Sequence, residues 1–423
     1  MAMAKAVALR QAQSGEIPGV EELLSEIEAL GAEEAGALLV RELEACERDE
    51  APEPAAIAMP RRENPTVRSI EFSLFFFSGD ESAFPNDKYQ LVLEATKFAD
   101  RNGFAAVWTP ERHFHRFGGL YPNPAVLGAA LATITERLQI RAGSVIAPLQ
   151  SPIRIAEEWA LVDNLSNGRA GIAFATGFHP VDFVLSPERF KERSKLTAEV
   201  VEAVRRYWRG EPAQGRTGTG EEVERALFPR PMQRELPTWL TATRSTETFV
   251  LAGRMGLNVL TAVLRINREE MAEKIAAYRR ARSEHGHDPD AGKVTLMLHA
   301  FTGSDDDRVR QTVSGPFREY LRSHMEFLSA GASLSRSEKE NLLTLAFDRF
   351  YEGGSLFGTP ESCLGTVEKF AAIGVNEIAC LIDFGIDFDT TMGGLRHLVR
   401  LAELANCRHC AAADLGANLA PSQ

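Results

Sequence analysis

Residues 138–175, LQIRAGSVIAPLQSPIRIAEEWALVDNLSNGRAGIAFA, contain two short apolar segments separated by a longer amphipathic one. Leu138–Ala147 and Ala170–Ala175 have the length and composition of buried strands, and Ile153–Ser166 has the apolar spacing of a helix. Two strands joined through a helix run parallel, with a right-handed crossover. The stretch therefore predicts one unit of an α/β fold with a parallel sheet.

The same alternation continues on both sides of this unit. Eight apolar segments are predicted to be strands: Ile70–Phe77, Ala105–Trp108, Leu138–Ala147, Ala170–Ala175, Thr238–Ala242, Asn258–Ala262, Lys293–Thr302 and Glu377–Ile382. The segments predicted to be helical are Lys88–Asn102, Pro124–Glu136, Ile153–Ser166, Glu188–Trp208, Thr246–Met255, Arg268–His285, Asp306–Phe350 and Thr390–Asn406. Eight such units predict a TIM-type (β/α)8 barrel. An open doubly wound sheet is the competing architecture, but it normally has fewer units, and no GxGxxG motif follows the first strand.

The chain is predicted to have a separate segment in front of the barrel. Val20–Leu30 and Glu33–Cys46 carry leucines at spacings of three and four, which predict two short amphipathic helices, and a proline-rich linker follows. We therefore divide the chain into a helical segment with its linker at residues 1–66, the barrel at 67–410 and a tail at 411–423. The first segment is either an extension without a role or an element that packs on a partner or on the barrel.

Most of the negative charge lies in this first segment. The chain has 59 Asp and Glu against 47 Lys and Arg, a formal net charge of −12. Between Glu16 and Glu50 there are twelve acidic residues and two arginines, so this stretch contributes −10 and the remainder −2. An acidic protein without basic stripes binds nucleic acid poorly, so we expect no nucleic-acid partner.

The sequence also predicts a cytoplasmic protein without a membrane span. No apolar run reaches the roughly 18 residues of a transmembrane helix, and the first residues lack the features of a signal peptide. Five unevenly placed cysteines do not suggest a disulfide framework. Cys407 and Cys410 have CxxC spacing, but no second pair completes four zinc ligands, so we expect no metal site.

In a parallel barrel the active site lies at the carboxyl ends of the strands. Four of the nine histidines, His113, His115, His179 and His299, fall at or near this rim among aromatic and apolar residues. Any single one could instead be held by a neighbouring carboxylate, but their convergence favours a functional role. The aromatic surroundings are typical of a pocket that holds a flat ring.

An anion site is predicted beside the fifth strand. Thr243, Arg244, Ser245 and Thr246 open the helix that follows it. Free N–H groups and the helix dipole favour an anion at a helix N-terminus, and Arg244 adds a positive charge, so the pattern predicts a phosphate site. The alternative is that Ser245 simply caps the helix. No GxSxG motif is present, so serine-hydrolase chemistry has no support.

Five short motifs occur in order along the barrel region: VWTPERHFHRFG at 107–118, YPNP at 121–124, SPIRIAEE at 151–158, DNLSNGR at 163–169 and GIAFATG at 171–177. Their order and spacing over Val67–Asn406 resemble the bacterial luciferase-like monooxygenases. The phrases WTPERHF, GGLYPNP and FHPVDF are most similar to the branch of that family found in bacterial natural-product pathways, alone or fused to nonribosomal peptide and polyketide synthases.

The resemblance implies chemistry with reduced FMN and O2, with a separate flavin reductase as partner. In the family's pattern Arg112 and His113 face the reactive edge of the flavin, and His179 is a candidate acid or base at the rim. The residues implied to bind the cofactor are Gly143, Ser144, Thr176, Gly177, Arg244, Ser245 and Thr248, the last three at its phosphate. The family's non-proline cis peptide is expected near Gly143–Ser144.

Two departures from the family's pattern matter. Luciferase has a pair of histidines in the loop after the second strand, and Arg112 stands at the first of these positions. Arginine cannot act as a base near neutral pH, so proton transfer is expected to pass through His113 or His179. Ala175 stands at the position of luciferase's reactive cysteine. We therefore do not expect light emission from an aldehyde.

Three functions are compatible with the sequence. The favoured one is a reduced-FMN- and O2-dependent monooxygenase that acts on a secondary-metabolite intermediate, either free or bound to a carrier protein. The alternatives are a deazaflavin-dependent hydride-transfer enzyme and a flavin-binding protein without turnover. In the favoured function residues 16–50 form a docking element for a synthase partner or the remnant of a fusion boundary. A homodimer is expected because relatives often pair through barrel helices.

Overall fold

The computed structural model describes residues 69–79, 87–263, 267–328 and 336–417. The chain divides into two compact units, one formed by Met1–Asn64 with Met325–Leu345 and the other by Pro65–His324 with Ala346–Gln423. In the smaller unit the described residues are helical. The helices predicted before residue 66 lie outside the described residues. The barrel belongs to the larger unit.

The described part of the chain contains a closed parallel barrel. Its strands are β1 (Glu71–Phe75), β2 (Ala106–Thr109), β3 (Gln139–Ile146), β4 (Ala170–Ala175), β5 (Ala213–Arg216), β6 (Glu222–Arg225), β7 (Thr238–Thr241), β8 (Asn258–Ala262), β9 (Val294–Thr302), β10 (Ser355–Gly358) and β11 (Glu377–Leu381). Eight of them pair in the order β1-β2-β3-β4-β7-β8-β9-β11, and β11 pairs with β1 to close the ring. Each predicted strand overlaps one of these eight, so the predicted TIM-type barrel is confirmed.

Helices follow the barrel strands on the outside. They are α1 (Gln90–Arg101), α2 (Pro124–Ala132), α3 (Pro152–Leu165), α4 (Arg193–Arg209), α5 (Thr246–Arg254), α6 (Arg268–Glu284), α7 (Asp306–Leu328), α8 (Arg336–Arg349), α9 (Pro360–Ala372) and α10 (Phe388–Ala417). Within the described residues no helix is long and apolar enough to cross a membrane.

The helical stretch predicted over Asp306–Phe350 is helical where the structure describes it, as α7 over Asp306–Leu328 and α8 over Arg336–Arg349. The structure differs from the prediction in two other segments. The Gly-rich segment 210–231 contains an antiparallel hairpin of β5 and β6. Strand β10 and helix α9 were not predicted. Strand β10 has four residues, of which only Leu356 and Phe357 are apolar, and this is too short for a periodic signal. Helix α9 is marked mainly by its cap, since the Thr359 hydroxyl accepts the Ser362 N–H and Pro360 follows.

Alternate residues of each barrel strand face opposite sides. Leu74, Ile140, Ile172, Leu296 and Ile378 belong to one buried apolar cluster shared with the surrounding helices. Burial of each such side chain contributes about 1.5–3 kcal/mol. The residues that alternate with them therefore point into the barrel.

A polar cluster fills the amino-terminal half of the barrel interior. Arg141 donates to both carboxylate oxygens of Glu377 at 2.9 and 2.8 Å, and its guanidinium carbon lies 4.8 Å from the ring centre of Trp108 and 4.4 Å from that of Trp239. Glu377 also accepts the Ser73 hydroxyl at 2.6 Å. We call these five residues the floor cluster. Its charges are paired and hydrogen-bonded, as burial requires.

The DNLSNGR motif lies at the amino-terminal end of the barrel, opposite the carboxyl ends of the strands. The Asp163 carboxylate accepts the backbone N–H of Met232 at 2.7 Å and of Gln233 at 2.9 Å. Arg169 donates to the carbonyls of Leu138 and Thr135 at 2.6 and 2.8 Å. Both side chains hydrogen-bond to backbone N–H or C=O groups of loops that would otherwise lack a partner, so the motif has a structural role.

Candidate active site

The loops after β1, β2 and β11 are joined at the carboxyl end of the barrel by one carboxylate. Asp383, which follows β11, accepts the backbone N–H of Phe77 at 2.8 Å and of Ser78 at 2.7 Å. It also accepts the hydroxyl of Tyr121 at 2.8 Å. Burial raises the pKa of Asp383, although these hydrogen bonds oppose the shift. The three loops are thereby held as one rim.

Arg112 joins the loops after β2 and β4. Its guanidinium is buried and lies 2.5 Å from Asp182 Oδ2, with the rings of Phe77 and Phe178 at 5.9 and 5.4 Å from its central carbon. Burial lowers the pKa of Arg112, while the carboxylates of Asp182 and Glu111 oppose that shift. The guanidinium is therefore a fixed positive charge at the rim and an anchor for the β4 loop.

His113 is oriented by a carboxylate on its own loop. Its Nε2 lies 3.0 Å from Glu111 Oε1, and its side chain is 16% exposed. Glu111 is in turn fixed to the end of β3, since it accepts the Ile146 N–H and the Gln150 side-chain amide, each at 2.7 Å. An ionised carboxylate only accepts, so this contact places a ring proton on Nε2. The imidazole is thus held in one orientation beside the pocket.

The end of β3 approaches its neighbours closely at Gly143 and Ser144. The peptide bond between them is cis, as expected. A Cβ on Gly143 would lie 2.8 Å from the Phe75 ring, so no larger residue fits without displacing that side chain. The Ser144 hydroxyl is 2.5 Å from the Thr241 hydroxyl across β4. This stretch forms a tight inner wall of the barrel mouth.

Thr176, Gly177 and His179 lie on the loop after β4. Thr176 and His179 are partly exposed, and the His179 ring stands edge-on to Phe178 with ring centres 6.3 Å apart. The carbonyl of His179 accepts the Asp182 N–H at 3.2 Å. These residues share the rim with Arg112, which Asp182 holds.

Arg244 and Ser245 open α5 at the same end of the barrel. The Ser245 hydroxyl accepts the Thr248 N–H at 3.4 Å and lies 2.5 Å from Glu247, so the capping role is confirmed. Arg244 is half-buried, and burial lowers its pKa with no carboxylate opposing the shift. A half-buried cation beside a helix N-terminus suits a phosphate. No contact described for Arg244, Ser245 or Thr248 joins them directly to the Arg112 rim.

The site as a whole fits a flavin nucleotide. Arg244 and the start of α5 can hold its phosphate. At Gly143 and Gly177 the space that a Cβ would occupy is filled by the side chains of Phe75 and Ile146, so glycine there allows close packing of the barrel mouth itself. A family model of the luciferase-like monooxygenases matches residues 69–377. The chain belongs to this family.

Named relatives agree with the family assignment. The chain is 25% identical over 345 residues to the oxygenase component of a flavin-dependent trigonelline monooxygenase of Acinetobacter baylyi, which covers 78% of this chain and 94% of that protein. Its fold is similar to that of monooxygenase RslO1 from Streptomyces bottropensis, with a TM-score of 0.67, 23% identity and coverage of 78% and 98%. It is also similar to the oxygenating constituent of 3,6-diketocamphane monooxygenase of Pseudomonas putida, a type II Baeyer–Villiger enzyme in complex with FMN, with a TM-score of 0.64, 16% identity and coverage of 80% and 98%. This luciferase-like protein is a flavin-dependent monooxygenase.

Three carboxylates of the luciferase-like site were missed from the sequence as functional residues. Glu111 orients His113, Asp182 pairs with Arg112, and Asp383 joins three loops. Each could have been suspected, because each lies within or just after a strand-end motif. His115, by contrast, has a local role, since its Nδ1 accepts the Phe117 N–H at 3.0 Å.

Three of the five cysteines have side chains that the structure describes. Cys363 and Cys380 are buried, and burial raises the pKa of Cys363 to about 12. Cys407 is exposed on α10, and the side chain of Cys410 lies outside the described residues. Among the residues that can be described, no group of three or more His, Cys, Asp or Glu side chains could hold a metal ion.

Gly177→Ala tests the close packing below the flavin-facing loop. Gly177 has φ +73°, and a Cβ would meet Ile146 and Phe183 at 2.7 and 2.9 Å. Gly103 has a similar φ of +77° but no atom within 4 Å of its Cβ position. Gly103→Ala therefore measures the cost of the unfavourable backbone conformation alone. We expect Gly177→Ala to lose about 1–3 kcal/mol more in free energy of unfolding than Gly103→Ala does. Urea unfolding of both variants measures the difference, and equal losses would contradict the crowding.

Proposed function

We propose that this protein uses reduced FMN and O2 to insert one oxygen atom into a secondary-metabolite intermediate. The observation that carries the cofactor is the position of Arg244, a half-buried cation at the N-terminus of α5 on the carboxyl end of the barrel. The FMN complex of the structural neighbour from Pseudomonas putida supports the same cofactor. The substrate class rests on the similarity of the WTPERHF, GGLYPNP and FHPVDF phrases to enzymes of natural-product pathways.

The residues of the chain have separate roles in this proposal. Arg244, Ser245 and Thr248 bind the phosphate, and Gly143, Ser144, Thr176 and Gly177 lie along the rest of the cofactor. Bound reduced FMN supplies the electrons that activate O2. The aromatic residues of the rim exclude bulk water from the site, and this exclusion prevents side reactions with water.

Proton transfer is assigned to His113. Glu111 holds a proton on Nε2, so the opposite nitrogen, Nδ1, accepts a proton from the reacting group or returns one to it. Arg112 keeps a positive charge next to this imidazole and cannot itself act as the base. His179, partly exposed on the β4 loop, is the second candidate acid or base and exchanges protons with solvent.

The proposed partners follow from the two-component chemistry. A separate flavin reductase supplies reduced FMN, which is supported by the name of the Acinetobacter baylyi relative as an oxygenase component. The substrate is presented free or on a carrier protein, and residues 16–50 dock on the synthase partner. We also propose a homodimer.

Arg244→Ala is the test of the cofactor. Loss of one charge-assisted phosphate contact is expected to weaken reduced-FMN binding by about 1.5–3 kcal/mol, roughly ten- to a hundredfold. Anaerobic titration of the full chain measures this, with Arg154→Ala on the exposed face of α3 as the matched control. Reduced deazaflavin is titrated in parallel. If reduced deazaflavin binds more tightly than reduced FMN, or if Arg244→Ala leaves the FMN affinity unchanged, the proposed cofactor is wrong. The deazaflavin-dependent hydride-transfer function is then favoured.

Oxygen incorporation identifies the substrate form. Full-length enzyme, a flavin reductase and ¹⁸O2 are incubated with small polyketide and peptide acids and with their pantetheine thioesters. Label in a thioester but not in the matching acid supports a carrier-bound substrate. Label in the acid alone assigns a free substrate, and flavin oxidation without label in any product contradicts monooxygenation of this class.

A further inference from the structure

His299 points into the mouth of the barrel. It lies on β9, where Thr295 faces the interior and donates to Glu377 of the floor cluster at 3.4 Å. Alternate strand residues share a side, so Met297 and His299 face the interior above Thr295, and His299 is nearest the carboxyl end. Leu381 is its neighbour in β11, two residues before Asp383. His299 therefore belongs to the pocket side of the barrel.

The His299 ring is enclosed by aromatic side chains. Its centre lies 4.8 Å from that of Phe317, 5.0 Å from Tyr320, 5.6 Å from Phe350 and 6.0 Å from Phe384. Burial lowers the pKa of His299 to about 3, and the nearby His324 adds to the shift. The imidazole is therefore neutral at physiological pH and offers one donor and one acceptor.

One of the two ring nitrogens has no protein partner. His299 is 4% exposed, and its Nε2 is buried without a hydrogen bond among the described residues. A buried polar atom without a partner is costly and usually marks a bound group. Nothing in the floor cluster or in the His113 contacts uses this nitrogen.

A small cavity lies beside this imidazole at the carboxyl ends of β8 and β9. Its lining residues are Ala262, Val263, Met297, His299, Phe350 and Gly354. Its volume is about 10 Å³, room for one group of the size of a hydroxyl. His299 is the only polar side chain in this lining, whereas a buried water normally has two to four polar partners. A polar atom delivered by a larger apolar ligand fits the lining better than water does.

We propose that His299 is a substrate-positioning residue that hydrogen-bonds an uncharged polar atom, a hydroxyl, carbonyl or amide, of an otherwise apolar aromatic substrate. The inference rests on the proposed function, because it assumes that the substrate enters the same barrel mouth as the flavin. The described residues of the lining carry no positive charge, so a carboxylate there would lose its hydration without gaining a counter-charge from them. Of the rings around His299, that of Phe350 also lines the cavity, so the atoms that carry the polar group meet an apolar surface.

Three para-substituted toluenes serve as matched probes: p-cresol, p-xylene and p-toluate, which differ in one substituent. They are titrated calorimetrically into the full-length protein saturated with reduced FMN under anaerobic conditions. In the wild type p-cresol is expected to bind about five- to tenfold more tightly than p-xylene, as one hydrogen bond permits. The carboxylate p-toluate is expected to bind more weakly than both.

Two variants separate hydrogen bonding from packing. His299→Phe keeps an aromatic ring and removes the polar atom, so the preference for p-cresol disappears while the thermal midpoint does not fall. His299→Gln retains a donor and an acceptor and keeps part of the preference. Equal binding of p-cresol and p-xylene by the wild type, a preference that survives in His299→Phe, or tight binding of p-toluate each overturns the proposal.

The same titrations distinguish the inference from the function on which it rests. If reduced FMN binds and responds to Arg244→Ala but the p-cresol preference is absent, the cofactor assignment stands and the role of His299 is wrong. If reduced FMN does not bind, the proposed function is wrong. The probes are then titrated into the full chain alone, where the wild-type and His299→Phe comparison still decides the role of His299.

Discussion

Replacing His113 with glutamine is expected to lower kcat about 10²–10⁴-fold, because general acid–base catalysis by one side chain contributes that much. Glutamine can still donate a hydrogen bond to Glu111, so the loop after β2 keeps its position. Reduced-FMN affinity is expected to stay unchanged, since Arg244 lies on another strand end. The measurement is ¹⁸O2-coupled turnover of the substrate found with the wild type, together with anaerobic FMN titration.

The control for this variant is His287→Gln. His287 is half-buried after α6, where its Nε2 lies 3.1 Å from the Arg254 carbonyl oxygen, near the amino-terminal end of β9 and so on the opposite face of the barrel from the rim. It is expected to turn over at the wild-type rate. A His113→Gln variant with nearly full kcat would show that His113 does not transfer the proton. The role would then be assigned to His179, and the same measurement on His179→Gln would test it.

Glu377→Gln is expected to destabilise the fold by about 3–5 kcal/mol. Arg141 would then lie buried beside two tryptophan rings without a counter-charge, and breaking one half of a buried ion pair has this cost. Urea unfolding of the wild type and the variant measures the loss. The double variant Arg141→Met/Glu377→Leu removes both charges and is expected to recover at least half of it. A double variant no more stable than Glu377→Gln would show that the cluster acts through hydrogen bonds to Ser73 and Trp108.

The contribution of Glu377 also depends on pH. Burial alone would raise the pKa of Glu377, but Arg141 and Lys293, with hydrogen bonds from Ser73 and Arg141, hold it below its ordinary value. A carboxylate whose pKa is lower in the folded state stabilises the fold above its unfolded pKa, about 4.3. That stabilisation is lost as the pH falls through the folded value. The advantage of the wild type over Glu377→Gln should therefore be constant near neutrality and shrink below about pH 4.3.

Much of the barrel could be predicted because each strand and helix has a local signature. Ala170–Ala175 is apolar on both faces, since one face packs on helices and the other on the barrel interior. The rim positions of Arg112, His113, His179 and Arg244 followed from the rule that loops after parallel strands share one end. Strand β10 was missed, because only two of its four residues, Leu356 and Phe357, are apolar and the strand is too short for a periodic signal.

By itself, then, the sequence determined the eight strand–helix units, the rim on which the site lies and the resemblance to flavin-dependent monooxygenases. Only the tertiary structure decided which side chains meet: Asp182 with Arg112, Glu111 with the end of β3, Asp383 with Phe77, and His299, whose Nε2 has no hydrogen-bond partner among the described residues. The reason is physical. The spacing of apolar residues shows which face of a helix or strand is buried. It depends only on residues three or four positions apart in a helix and two positions apart in a strand. Pairing between Phe77 and Asp383, which are 306 positions apart, exists only after the barrel closes.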